Sequence, residues 1–160
     1  MKKNKTCNHG FSLIELLLVV AIILIIAAIA IPSLLHSKMA ANESSAVGSL
    51  RSINTACVNY AGEYGIGYPA ALSNMAPAAS PTSAAADLLD AVLASGTKSG
   101  YVFTYAAGAA TSTGIINSYS VTAAPQSHGV SGTRGFYTDQ SFVIRADPTG
   151  SATSSSTPIS

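Results

Sequence analysis

An α+β fold is predicted for this chain: one long N-terminal helix, membrane-spanning in its first half and amphipathic in its second, packed on a small antiparallel sheet. Three observations predict it. Sixteen consecutive apolar residues run from Leu16 to Ile31. Apolar side chains then recur at helical spacing from Val47 to Tyr64, and short alternating segments follow from Tyr101 onward. Of 160 residues only 9% are charged, against about 25% in a typical soluble domain. A formal charge of +1 with 48% hydrophobic residues excludes both a strongly basic nucleic-acid binder and an acidic disordered chain.

The apolar block comes first. From Phe11 to Ile31 only Ser12 and Glu15 are polar. A helix of that length reaches about 31 Å, the thickness of a bilayer core. No soluble domain of this size needs one helix that is greasy on every side. Pro32 follows at once, where a helix kink is expected. The preceding residues 1–10 carry Lys2, Lys3 and Lys5 and no acid, so this flank stays cytoplasmic and the head faces the opposite side. An ordinary signal peptide, with Ala28-Ile29-Ala30 as its cleavage site, is the competing reading. The length of the apolar run and the carboxylate inside it speak against that.

Glu15 is the informative residue. An acid at mid-bilayer costs about 2.5–3.5 kcal/mol, and less near a helix end. Ser12-x-x-Glu15 has the spacing of a capping box, which is the structural alternative. The functional reading is a carboxylate awaiting a buried cation, and no Lys, Arg or His lies between Phe11 and Leu35. Cleavage between Gly10 and Phe11 would create one, a new α-amino group at the head of the helix. A neighbouring subunit's Glu15 could meet it, offsetting the desolvation of both charges.

These residues resemble a known family. Gly10-Phe11-Ser12-Leu13-Ile14-Glu15, after a basic leader and before an unbroken apolar run ending at Pro32, is similar to the class III signal of type IV pilins and pseudopilins. The resemblance implies cleavage after Gly10 by a prepilin peptidase, N-methylation of Phe11, and packing of the apolar helices into the core of a filament. It covers Lys2 to Pro32, extends in pattern to about Tyr68, and beyond that is one of architecture.

The rest of the chain supplies the head. Val47, Leu50, Ile53, Cys57, Tyr60 and Tyr64 are spaced 3, 3, 4, 3 and 4, a helix with one buried stripe. Asn42, Glu43, Ser45, Ser49, Ser52 and Asn59 are expected on its other faces. The helix is expected from Ser12 to about Gly62, with Gly65 to Pro69 ending it. Tyr68 to Pro81 reads as a connection, and a short helix is expected from Thr82 or Ser83 through Leu93, stopped at Gly96. Strands are expected at Tyr101–Tyr105, around Tyr119 to Ala123, at Phe136–Thr138 and at Phe142–Arg145. Three or four antiparallel strands with one apolar face would cover the stripe. The chain thus divides into a cleaved leader at 1–10, a spanning and filament-core segment at 11–32, the amphipathic helix and head at 33–147, and a Ser/Thr-rich tail at 148–160 expected to be mobile.

Chemistry is sparse. Without its leader the chain has five basic against seven acidic side chains, a net of −2, and no nucleic-acid partner is expected. Cys7 would leave with the leader, so Cys57 has no partner for an intrachain disulfide and reads as a small buried apolar residue. This departs from pilins that staple a C-terminal loop. Ser95-Gly96-Thr97-Lys98 matches S-x-x-K, but the accompanying S-D-N and K-T-G are missing, and His128 has no nucleophile at a recognised spacing. Asp139 and Asp147 are too few ligands for the calcium loop that some secretion pseudopilins carry. No enzyme activity, cofactor or metal site is expected. The expected function is structural: a pilin-like subunit held as a single-pass protein of the bacterial inner membrane, its leader cytoplasmic and its head periplasmic. Its expected partners are the prepilin peptidase, an inner-membrane assembly platform, the lipid bilayer before assembly, and copies of itself in a cell-surface or periplasmic filament. The rival readings are a pseudopilin of a type II secretion system and, from another class, a membrane-anchored binding or enzymatic head that never polymerises.

Overall fold

The computed structural model describes residues 11–159 and has a long N-terminal helix, α1 (Leu13–Tyr64), and a six-stranded antiparallel sheet. The chain divides into two compact units, one ending at His36 and one running from Ser37 onward. Among the described residues of the first unit almost every side chain is exposed. Here α1 is long and apolar enough to cross a membrane, by length and composition. The helix continues through Pro32.

The second unit is built on the remainder of α1. Ala46, Leu50, Ile53, Cys57 and Tyr60 are buried along one stripe. The helix ends where Gly65, with a positive φ of 66°, turns the chain and returns its N–H to the carbonyl of Ala61. Gly67 also has a positive φ, and a side chain there would strike the backbone of Ile116. A one-turn 3-10 helix spans Leu72–Met75, and α2 is a single turn, Ala91–Ala94. The expected helix from Thr82 to Leu93 therefore does not form. Thr82 and Ala85 instead exchange backbone hydrogen bonds in a tight turn. Asp87 has a positive φ of 54°, which no helix admits. Asp90 then caps α2 by accepting from the N–H of Leu93.

The strands are β1 (Thr97–Lys98), β2 (Tyr101–Ala107), β3 (Tyr119–Pro125), β4 (Gly135–Asp139), β5 (Arg145–Asp147) and β6 (Thr157–Pro158), each paired antiparallel with the next. Tyr101 and Phe103, then Tyr119, Val121 and Ala123, then Phe136 and Thr138 point inward at alternate positions. The register places Phe103 opposite Ala123, Ala123 opposite Phe136, and Val121 opposite Thr138. Large side chains thereby alternate with small ones across the sheet, and each large one contributes about 1.5–3 kcal/mol by leaving water.

Two sequence expectations change here. The strand expected at Phe142–Arg145 begins only at Arg145, because Asp139 organises a turn before it. The Asp139 carboxylate accepts from the N–H of Ser141, and its carbonyl accepts from the N–H of Phe142. The stretch expected as a tail also contributes a strand. Thr157 pairs with Ala146, and Ile159 donates its N–H to the carbonyl of Ile144.

A further correction concerns polarity. Glu43 and Ser49, expected on the wet faces of the helix, are buried. The Glu43 Oε1 accepts from the Thr133 N–H at 2.9 Å, the Thr133 hydroxyl at 3.0 Å and the Arg134 N–H at 3.1 Å. Its Oε2 accepts from Arg134 Nε at 2.8 Å. Burial pushes the Glu43 carboxyl up, but these four bonds outweigh it and hold the group down at about 2. Arg134 also lies over the ring of Phe136. Nearby, Tyr119 donates to Asn54 Oδ1, and Asn54 donates in turn to Thr138 Oγ1, so α1, β3 and β4 share one buried polar chain.

Because the folded-state value for Glu43 lies below its ordinary 4.5, its contribution to stability is complete above about pH 4.5. That contribution is lost as the pH falls toward 2. Glu43→Gln turns an amide toward the Arg134 guanidinium and should cost about 2–3 kcal/mol at pH 7. Urea unfolding from pH 7 to pH 2.5 checks both points. The difference between wild type and variant should shrink through the acid range, and a constant difference would exclude Glu43 as its source.

Candidate functional site

The first turn of α1 is the segment singled out by sequence, and Phe11, Ser12 and Glu15 are all described there. Phe11 precedes the helix and is 78% exposed. Ser12 caps it, its carbonyl accepting from the N–H groups of Glu15 at 3.1 Å and Leu16 at 3.3 Å. Glu15 reaches back, Oε2 accepting from the Ser12 N–H at 2.9 Å. That is one half of a capping box, so the helix-cap role of Glu15 is realised. The carboxylate also favours the positive end of the helix dipole. Its second oxygen makes no hydrogen bond and no ion pair among the described residues. Gly10 lies outside the described residues. Pro32 lies about five turns further along the same helix, inside it.

The candidates in the head are otherwise engaged. The Ser95 hydroxyl donates to the carbonyl of Val92, and Lys98 pairs with Asp90 at 2.9 Å, so the S-x-x-K residues serve as a helix end and an ion pair. Asp90 is held below the usual carboxylate range by the Leu93 N–H and by Lys98. His128 Nε2 approaches the Pro148 carbonyl at 3.5 Å. Asp139 is committed to Ser141, and Asp147 to the N–H of Thr149. No cluster of three or more His, Cys, Asp or Glu side chains that could hold a metal occurs among the described residues. Cys57 is buried, and burial pushes its thiol up to about 12, so it stays protonated and unreactive at neutral pH.

Sequence reasoning missed the Glu43–Arg134 pair. A signal for half of it was present, because Glu43, Val47, Leu50, Ile53 and Cys57 continue the 3–4 spacing of the stripe backward by one turn. Arg134, separated by 91 residues, carried none.

No curated protein and no solved structure matches the chain. Residues 5–31 match the family model of the prokaryotic N-terminal methylation motif. The matched stretch contains Gly10, Phe11 and Glu15 together with the apolar run to Ile31, and ends before the head begins. The chain thus carries a class III N-terminal methylation motif ahead of an α+β head, a combination consistent with a type IV pilin or pseudopilin.

Proposed function

We propose that this chain is a structural subunit that a prepilin peptidase cleaves between Gly10 and Phe11, that is N-methylated on Phe11, and that polymerises into a pilus filament. The match of residues 5–31 to the methylation motif carries this reading. Before assembly the subunit sits in the inner membrane with its leader cytoplasmic, which the lysines of residues 1–10 favour. An assembly platform then draws it into a filament whose core is the segment from Leu13 to Ile31.

Glu15 sets the register between copies. In a single chain its Oε2 is used by the Ser12 N–H, and the other oxygen has no partner among the described residues. Cleavage makes the Phe11 nitrogen a cation. Inside a bundle of apolar helices, that amine and a neighbour's free carboxylate oxygen are the groups that can neutralise each other. Wrong axial offsets leave both unpaired in a dry core.

Three variants test this. Gly10→Val should leave the precursor uncleaved and membrane-bound, whereas mass spectrometry of wild type should find a mature chain starting at N-methylated Phe11. A start at Ile31 would establish the ordinary signal-peptide reading instead. Glu15→Val should insert and be cleaved normally but lose most filament assembly, with partial incorporation on co-expression with wild type. Glu15→Gln keeps an oxygen for the Ser12 cap and loses only the charge. If the charge sets register, the Gln variant should assemble as poorly as the Val variant. Abundant regular filaments of Glu15→Gln in electron micrographs would leave Glu15 as a helix cap only.

A further inference from the structure

The head carries an unfilled apolar groove alongside α1. Arg51, Asn54, Thr55, Val58 and Asn59 line it from the helix and Phe142 walls it from the loop before β5, enclosing about 490 Å³. Val58 and Phe142 are 47% and 46% exposed. Phe142 is held there with a φ of 62°, a left-handed backbone that a bulky residue enters only when its surroundings impose it. The Asp139 turn imposes it. Arg51 is exposed at the groove's edge, and its guanidinium makes no ion pair or hydrogen bond among the described residues. An occupant that satisfies this surface brings an acid and an apolar side chain close together.

The chain presents that combination at the C-terminal end of α1. Glu63 is exposed without an ion pair among the described residues, and Ile66, three positions on, is 43% exposed. Val92 and Val130, also exposed in the head, lack it. Val92 stands beside Asp90, whose carboxylate is committed to Lys98 and to the Leu93 N–H. Val130 lies in a loop from Gln126 to Gly132 that contains no acid.

We infer that a second copy of this chain docks the Glu63–Ile66 end of its α1 into this groove, Glu63 pairing with Arg51 and Ile66 packing on Val58 and Phe142. The inference rests on the reading of the chain as a polymerising subunit and names where two heads meet. Arg51 and Glu63 are twelve residues apart, about 18 Å along the helix axis and about 120° around it. The two surfaces are therefore different, and the contact is heterologous. Parallel copies meet through it with an axial offset of about 18 Å, which leaves one groove and one helix end free at each stage and extends without closing.

The test uses full-length chains in their native membranes. Arg51→Cys and Glu63→Cys chains, distinguishable by epitope tags and co-expressed, are treated with a short bis-maleimide. With Cys7→Ser in both chains and Cys57 buried, cross-linked dimers containing one of each are expected, with far fewer from either variant alone. In parallel, Arg51→Glu should lower filament yield roughly tenfold, and adding Glu63→Arg to the same chain should restore it. Both positions are exposed, so the head should fold in every variant. Wild-type filaments without mixed cross-links would overturn the interface and leave the proposed function standing. Mixed cross-links without filaments would support the interface and overturn polymerisation into a pilus. A charge swap that restores nothing would overturn the Arg51–Glu63 pairing.

Discussion

The head depends on the burial of one stripe of α1. From Glu43 to Tyr60 that stripe is too apolar to face water, yet a helix cannot cover itself, so a sheet with one apolar face has to be built against it. Inward aromatics at Tyr101, Phe103, Tyr119 and Phe136 supply the bulk, and Ala123 leaves them room. Packing of this kind is broad and tolerant of slippage. Hydrogen bonds fix the alignment instead: Tyr119 to Asn54 to Thr138 at the centre of the stripe, and Glu43 to Thr133 and Arg134 at its start. A shift of the sheet by one residue would strand each of these polar groups without a partner, at about 1–3 kcal/mol apiece.

The two helical carboxylates obey the same rule with different outcomes. Glu43 finds four donors within its own chain, and both of its oxygens are used. Its charge is thereby stabilised where burial alone would have neutralised it. Glu15 has one donor, the N–H of Ser12, and stands ahead of an apolar run from Leu16 to Ile31 whose side chains offer none. A charge so placed is tolerable near an aqueous boundary and expensive in a dry one. The first carboxylate is a fold-specifying group; the second caps a helix and, under the proposed function, is completed by a neighbouring copy.

Much of this was legible before any coordinates. The 3–4 spacing of Leu50, Ile53, Cys57 and Tyr60 identified the buried stripe, and the alternation Tyr101, Phe103, Tyr105 located β2. Both periods are dictated by how side chains leave a helix or a strand. What escaped had no period to show. The helix expected from Thr82 to Leu93 shrank to one turn at Ala91–Ala94, since the backbone hydrogen bonds of Ala86, Leu88 and Leu89 go to the 3-10 turn at Asn74 and Met75. The strand expected at Phe142 was displaced by a side-chain turn, and Thr157–Pro158 is a strand only because β5 offers an open edge. In the first turn of α1, the cap geometry of Ser12 and Glu15 could be read from spacing.

The sheet also constrains how copies of this chain can associate. An exposed strand edge is a template for pairing with another chain, and both edges here are blunted. β1 at one side is two residues long and ends in Lys98, already paired with Asp90; β6 at the other is two residues long and contains Pro158, which has no N–H to donate. Inside the meander β2 is paired with β3 along its whole length, while β1 covers it only at Tyr101 and Val102. Because each strand is hydrogen-bonded to its sequence neighbour, the sheet closes only short loops and has no need of a covalent staple to hold its order. Strand addition at either terminal strand is therefore a poor route to association. Under the proposed function, copies of this chain meet instead along α1, through its apolar length and through the flank bearing Arg51 and Val58.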